Sequence, residues 1–127
     1  WSVDNRTAGF RLCADGTKSV RVECRIPGSD VNPYLAQAAL IAAGIKGIED
    51  KLPLDKPAAG DLYNDDTVPE IPRTLRSAIE VFRTSQVMRA AMGDDVIEHY
   101  TRCAEWEQQC FDNAVTQWEI ERGFERA

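Results

Sequence analysis

The sequence predicts an α+β fold, a β-hairpin followed by an α-helical C-terminal half. Three observations carry this. "VRVECRIPG", residues 20–28, alternates Val20, Val22, Cys24 and Ile26 with Arg21, Glu23 and Arg25, the period of a half-buried strand. "ADGTK", residues 14–18, puts an Asp-Gly turn signal between that run and "AGFRLC", residues 8–13. From Asn32 onward, apolar residues recur at helical spacing.

The strands are expected over 8–13 and 19–26, and "PGSDVNP" ends the second. Asn32 and Pro33 then read as N-cap and first helical residue. That helix is expected from Pro33 to about Leu52, and its Ala, Leu and Ile on most sides predict burial. Gly44 and Gly47 would allow close packing there. Residues 53–72 hold four of the six prolines and a run of acids, a loop long enough to be functional or to wrap over something. Thr74 caps a short helix with Leu75, Ala78, Ile79 and Phe82 at helical spacing. Another is expected over 85–92, ended by Gly93. Asp94 and Asp95 start a long helix to about Arg122. Its stripe of Val96, Ile97, Tyr100, Cys103, Ala104, Phe111, Ala114, Val115 and Trp118 fits core or subunit contact.

Two strands alone make a poor sheet, so strand partners are expected from elsewhere. The chain opens on Trp1 and not Met. Residues 1–127 therefore read as a processed product or a piece of something larger, a hairpin over 1–31 and a mostly helical part over 32–127.

At 127 residues, 43% hydrophobic and 28% charged, the chain is globular material for one domain or part of one. Of 15 basic and 21 acidic residues, six of each lie in residues 1–50, so the net charge of −6 falls in residues 51–127. Binding nucleic acid by bulk charge is not expected. The longest apolar run, Ala38 to Ile45, is too short to span a bilayer, so no membrane partner is expected. Cys13, Cys24, Cys103 and Cys110 show no C-x-x-C spacing, and the single histidine, His99, sits mid-helix on a helix face. Zinc is not expected, and four reduced thiols fit a cytoplasmic protein.

The alternation places Arg21, Glu23 and Arg25 on one face. Antiparallel pairing can bring Arg6 and Arg11 onto that face, a few ångströms away. Guanidinium forks bind phosphate and carboxylate bidentately. A carboxylate among them can help hold Mg²⁺, which bridges phosphate oxygens. Phosphoryl transfer needs this combination. The same pattern also fits a solvated hairpin face with weak ion pairs, and there is no G-x-x-x-x-G-K-[ST] loop. Spacing leaves both readings open.

"DNRTAGFR" (4–11), "RVECR" (21–25), "NPYLAQAALIAAGIKGIEDKL" (32–52) and "PEIPRTLRSAIEVF" (69–82) together resemble the C-terminal part of the catalytic domain of glutamine synthetase family ligases. The resemblance covers nearly the whole chain. The ending "WEIERGFERA" is similar to the branch that includes γ-glutamyl amide ligases. The resemblance implies an ATP-dependent ligase: the γ-carboxylate of glutamate is phosphorylated, and ammonia attacks the acyl phosphate to give glutamine. A γ-glutamyl amide ligase using methylamine, ethanolamine or a polyamine is the alternative. A reading of another class is a non-catalytic helical interaction or nucleotide-binding module.

By motif, the resemblance implies that Arg6 contacts the transferring phosphoryl group and that Arg11 and Arg21 bind nucleotide phosphates. It implies Glu23 as a ligand of Mg²⁺ or Mn²⁺, and Arg25 as a catalytic residue that binds glutamate. Asn5 shapes the turn that aims Arg6. Tyr63 falls where some relatives carry an adenylylated tyrosine, but the residues after it depart from that pattern, and an ordinary loop tyrosine is the other reading. The family's remaining metal-binding glutamates, a histidine and a flap over glutamate lie upstream of these motifs. The chain alone is thus expected to be inactive, needing the rest of the catalytic domain. Family members form homo-oligomeric rings with sites between subunits, and the helical half would serve assembly.

Overall fold

The computed structural model describes residues 1–126. They form two compact units, Trp1–Ile71 and a second beginning at Pro72.

The first unit carries a three-stranded sheet of β1 (Ser2–Val3), β2 (Phe10–Cys13) and β3 (Arg21–Cys24), in that spatial order. The hairpin is antiparallel as expected, pairing Arg11 with Glu23 and Cys13 with Arg21. Its strands are shorter than the alternation predicted. Ala14 (φ 55°) and Gly16 (φ 72°) are both left-handed, so the turn takes the chain out of the ladder straight after Cys13. The third strand is a correction, because a partner comes from within the chain. β1 pairs parallel to β2, Ser2 against Arg11 and Val3 against Leu12.

The loop of residues 53–72 does wrap over something. Ala58 N–H donates to Trp1 O at 2.9 Å, Trp1 Nε1 to Asp55 O at 2.8 Å and Ser2 Oγ to Ala58 O at 2.5 Å. The prolines cannot donate to a ladder, so this segment lies along the N-terminal strand through the donors and acceptors of the other residues. A short 3₁₀ turn, Leu62–Asn64, follows.

Helix α1 runs Pro33–Glu49, with Asn32 Oδ1 accepting from the N–H groups of Tyr34 (3.0 Å) and Leu35 (3.3 Å). It stops three residues before the expected end. Lys51 turns left-handed (φ 51°). Leu52 N–H then bonds Gly47 O (3.0 Å) and Lys51 N–H bonds Ile48 O (3.1 Å), the two bonds of a Schellman closure. The expected burial of α1 is not found: none of its residues is buried, and Tyr34, Ile41, Ile45 and Ile48 are exposed. Nor is the hairpin's apolar face covered, with Val22 67% exposed and Val20 and Ile26 also open. The total accessible surface is 10329 Å². Two wholly separate compact proteins of half this mass would expose about 8,200 Å².

The second unit holds α2 (Leu75–Thr84), α3 (Gln86–Met92), α4 (Asp94–Asp112) and α5 (Gln117–Phe124). Thr74 caps α2 in a capping box with Ser77. Gly93 (φ 85°) separates α3 from α4. The expected single helix to Arg122 is instead two. Thr116 and Glu119 form a capping box that starts α5, so Ala114 and Val115 lie in the link. Ile79 of α2 and Ile97 and Thr101 of α4 are buried where α2 meets α4. Arg83 pairs with Glu105, and Arg76 with Asp112 at 2.7 Å, both between α2 and α4.

Candidate active site

The site is built on the polar face of the hairpin. Direct pairing of Arg11 with Glu23 puts guanidinium opposite carboxylate. Arg11 Nη1 donates to Glu23 Oε2 at 3.0 Å. Two residues further along β3, Arg25 Nη1 donates to the other oxygen, Oε1, at 2.5 Å. Arg25 Nε also donates to Arg6 O at 3.0 Å, which ties the end of the strand to the N-R-T turn. One carboxylate thus sits between two guanidiniums, where four were expected around it. The two arginines, Arg25 first and then Arg11, hold the Glu23 carboxyl below its ordinary value of 4.5.

Arg11 is only 17% exposed. Its other fork atom, Nη2, donates to Asp4. The carboxylates of Asp4 and then Glu23 raise its pKa. Sequence reasoning missed Asp4. The two-residue β1 is too short to show alternation, so nothing signalled that residues 2–4 lie beside β2. It also missed Cys13, which is buried with Sγ 3.6 Å from Glu23 Oε2. Register alone places Cys13 one pleat from Arg11, on the same face.

The other expected residues lie outside this cluster. Arg21 is exposed and donates to Ser19 O at 3.3 Å. The Arg6 side chain is exposed and, unlike its carbonyl, takes no part in the network. Asn5 does shape the turn: its Oδ1 accepts from Thr7 N–H (2.9 Å) and Thr7 Oγ1 (2.8 Å). Its Nδ2 donates to Gly60 O at 2.8 Å, and Leu62 N–H donates to Thr7 Oγ1 at 3.1 Å. The wrapping loop therefore braces the N-R-T turn. Tyr63 is exposed on the 3₁₀ turn. His99 lies on α4, its Nε2 3.7 Å from Cys103 Sγ. Among the described residues, no three His, Cys, Asp or Glu side chains converge on a metal position. No described helix is long and apolar enough to cross a membrane.

The Glu23 shift has a consequence for acid stability. A carboxyl whose folded pKa is depressed contributes stability that is complete above its unfolded pKa. That contribution is lost as pH falls through the folded value. Hydrogen-exchange protection of β2 and β3 is expected to hold from neutrality down to about pH 5 and to drop below about pH 4. In Glu23→Gln this drop should be smaller. An identical acid profile in the variant would show that Glu23 is not the linked group.

The α+β unit thus carries a carboxylate clamped between two strand arginines, beside a braced N-R-T turn. The chain belongs to the glutamine synthetase catalytic domain family, whose model matches residues 1–123. It is 48% identical to a γ-glutamylethanolamide synthetase of Streptomyces coelicolor over 99% of the chain, which is 27% of that protein. It is 39% identical to a type-1 glutamine synthetase of Dictyostelium discoideum, over 98% of the chain and 25% of that protein. With a glutamate–isopropylamine ligase of a Pseudomonas species the identity is 37%, over 96% and 27%. The chain thus spans about a quarter of the length of the curated relatives it matches.

Proposed function

We propose that this chain is the C-terminal part of a glutamine synthetase-type catalytic domain and forms one wall of its active site. In this reading, ATP phosphorylates the γ-carboxylate of glutamate. An amine nitrogen then attacks the acyl phosphate and inorganic phosphate leaves. The observation that carries the reading is the Arg11–Glu23–Arg25 clamp, inside a chain whose family match runs from residue 1 to 123.

Each role fits the geometry. Arg25 has Nε and Nη1 anchored, which leaves Nη2 for a substrate carboxylate. Arg6 and Arg21 extend into solvent, where a triphosphate could be gripped. Arg11 would bind nucleotide phosphates at its remaining donors. Glu23 offers hard oxygen atoms, the donor type Mg²⁺ and Mn²⁺ take. Among the described residues no group of three metal-ligating side chains forms around Glu23, which fits one corner of a metal site completed by other parts of the domain. A bound divalent ion would neutralise phosphate charge there. The open faces of α1 and the hairpin fit a piece whose apolar surfaces pack against that remainder.

For the acceptor, ammonia and a small primary amine are the two readings. The higher identity to the ethanolamide synthetase than to the glutamine synthetase favours the amine. The test is ADP release by the full-length protein with glutamate and, in turn, ammonia, methylamine, ethanolamine and a polyamine. Turnover should require glutamate and run fastest with a primary amine, and the 127-residue chain alone should release no ADP. Fastest turnover with ammonia would select glutamine synthesis. Nucleotide hydrolysis indifferent to glutamate would refute the ligase reading.

A further inference from the structure

Asp4 stands out in the network for its backbone and its exposure. Its φ of 48° lies in the left-handed region, which aspartate tolerates at some cost. Its N–H donates to Leu12 O at 2.9 Å, so the chain bends at the end of β1 and carries the carboxylate over Arg11. The side chain is 71% exposed, yet it closes on Arg11 Nη2.

Arg11 therefore has one fork atom on Asp4 and the other on Glu23, while its Nε is buried without a hydrogen-bond partner. One N–H remains on each fork nitrogen, but the outward approach to Nη2 is taken by Asp4, so a phosphate oxygen arriving there meets the Asp4 carboxylate. The two carboxylates are not held equally. Glu23 is less exposed and gripped from both sides, by Arg11 and Arg25. Asp4 stands in solvent and its ion pair is with Arg11 alone. Its carboxylate is the solvated partner of the two, so Asp4 is the member a stronger anion displaces.

We propose that Asp4 is a competing anion that occupies the outward donor of Arg11 in the free protein, and that a nucleotide phosphate oxygen displaces it on binding. Asp4 then competes with the nucleotide for that donor and lowers nucleotide affinity. This rests on the reading of Arg11 as a nucleotide-phosphate ligand.

Calorimetric titration of the full-length protein with MgATP tests it, using Asp4→Asn, Asp4→Gly and Arg11→Ala. Asparagine keeps the shape and tolerates the left-handed backbone, and glycine removes the strain. Both remove the competing charge. MgATP is expected to bind about two- to fivefold more tightly to both Asp4 variants and more weakly to Arg11→Ala. A merely structural Asp4 would give the opposite sign. Unchanged or weaker binding in the Asp4 variants, with Arg11→Ala weakened, would overturn the displacement alone. Unchanged binding in Arg11→Ala would overturn the Arg11 assignment and the displacement with it.

Discussion

Replacing Arg25 by alanine in the full-length protein is expected to lower kcat/KM for glutamate by about 10²- to 10³-fold, the range for removing one preorganised donor from a developing charge. Arg25 is held by two anchors, Glu23 Oε1 at 2.5 Å and Arg6 O at 3.0 Å. A side chain fixed this way needs no reordering when substrate arrives. Its loss also leaves Glu23 with a single guanidinium neighbour. Arg25→Lys should recover little, because an ammonium cannot hold a carbonyl, a carboxylate and a substrate in one plane. Steady-state kinetics with glutamate as the varied substrate checks this. A loss below about threefold in both variants would remove Arg25 from the site.

The second large effect concerns the helical unit. Ile97 is fully buried, with Ile79 and Thr101 the other buried residues of α2 and α4. Ile97→Ala should cost about 2–5 kcal/mol, because the side chain is fully buried and its loss removes apolar contact and leaves a cavity. The ion pairs between α2 and α4, Arg83–Glu105 and Arg76–Asp112, are exposed enough to compensate little. Hydrogen exchange of α2 and α4 amides in the full-length protein should accelerate at least about 30-fold. The sheet amides should be unaffected. Equal acceleration in both regions would show that the sheet depends on this contact, and no acceleration would show that α4 is held by other surfaces.

Where a pattern is local, it is legible in the sequence. The alternation of residues 20–26 with an Asp-Gly turn before it marks the hairpin and its polar face, while the register that sets Arg11 opposite Glu23 comes from the structure. Asn32-Pro33 and Thr74 mark helix starts because capping is a local bond between a side chain and a nearby N–H. The missed features need information of another range. β1 is two residues long and acquires meaning only beside β2, so Asp4 gave no sign of reaching Arg11. The break before α5 was written in "TQWE", a Thr-x-x-Glu capping box, but the apolar stripe runs on through it and the period prevailed. The expected burial of α1 failed for a different reason. Composition reports that a surface is suited to burial, and not whether its partner lies within this stretch of chain.

Glu23, held between Arg11 and Arg25, is the proposed metal-facing corner of a γ-glutamyl-activating site. The most direct measurement is the Mg²⁺ dependence of glutamate- and amine-dependent ADP release by the full-length protein, wild type against Glu23→Gln. The variant is expected to need about 10- to 100-fold more Mg²⁺ to reach half its maximal rate, with the maximum also reduced. Superimposable Mg²⁺ curves with equal maxima would contradict it, and would leave the arginine row as a paired, solvated face of the hairpin.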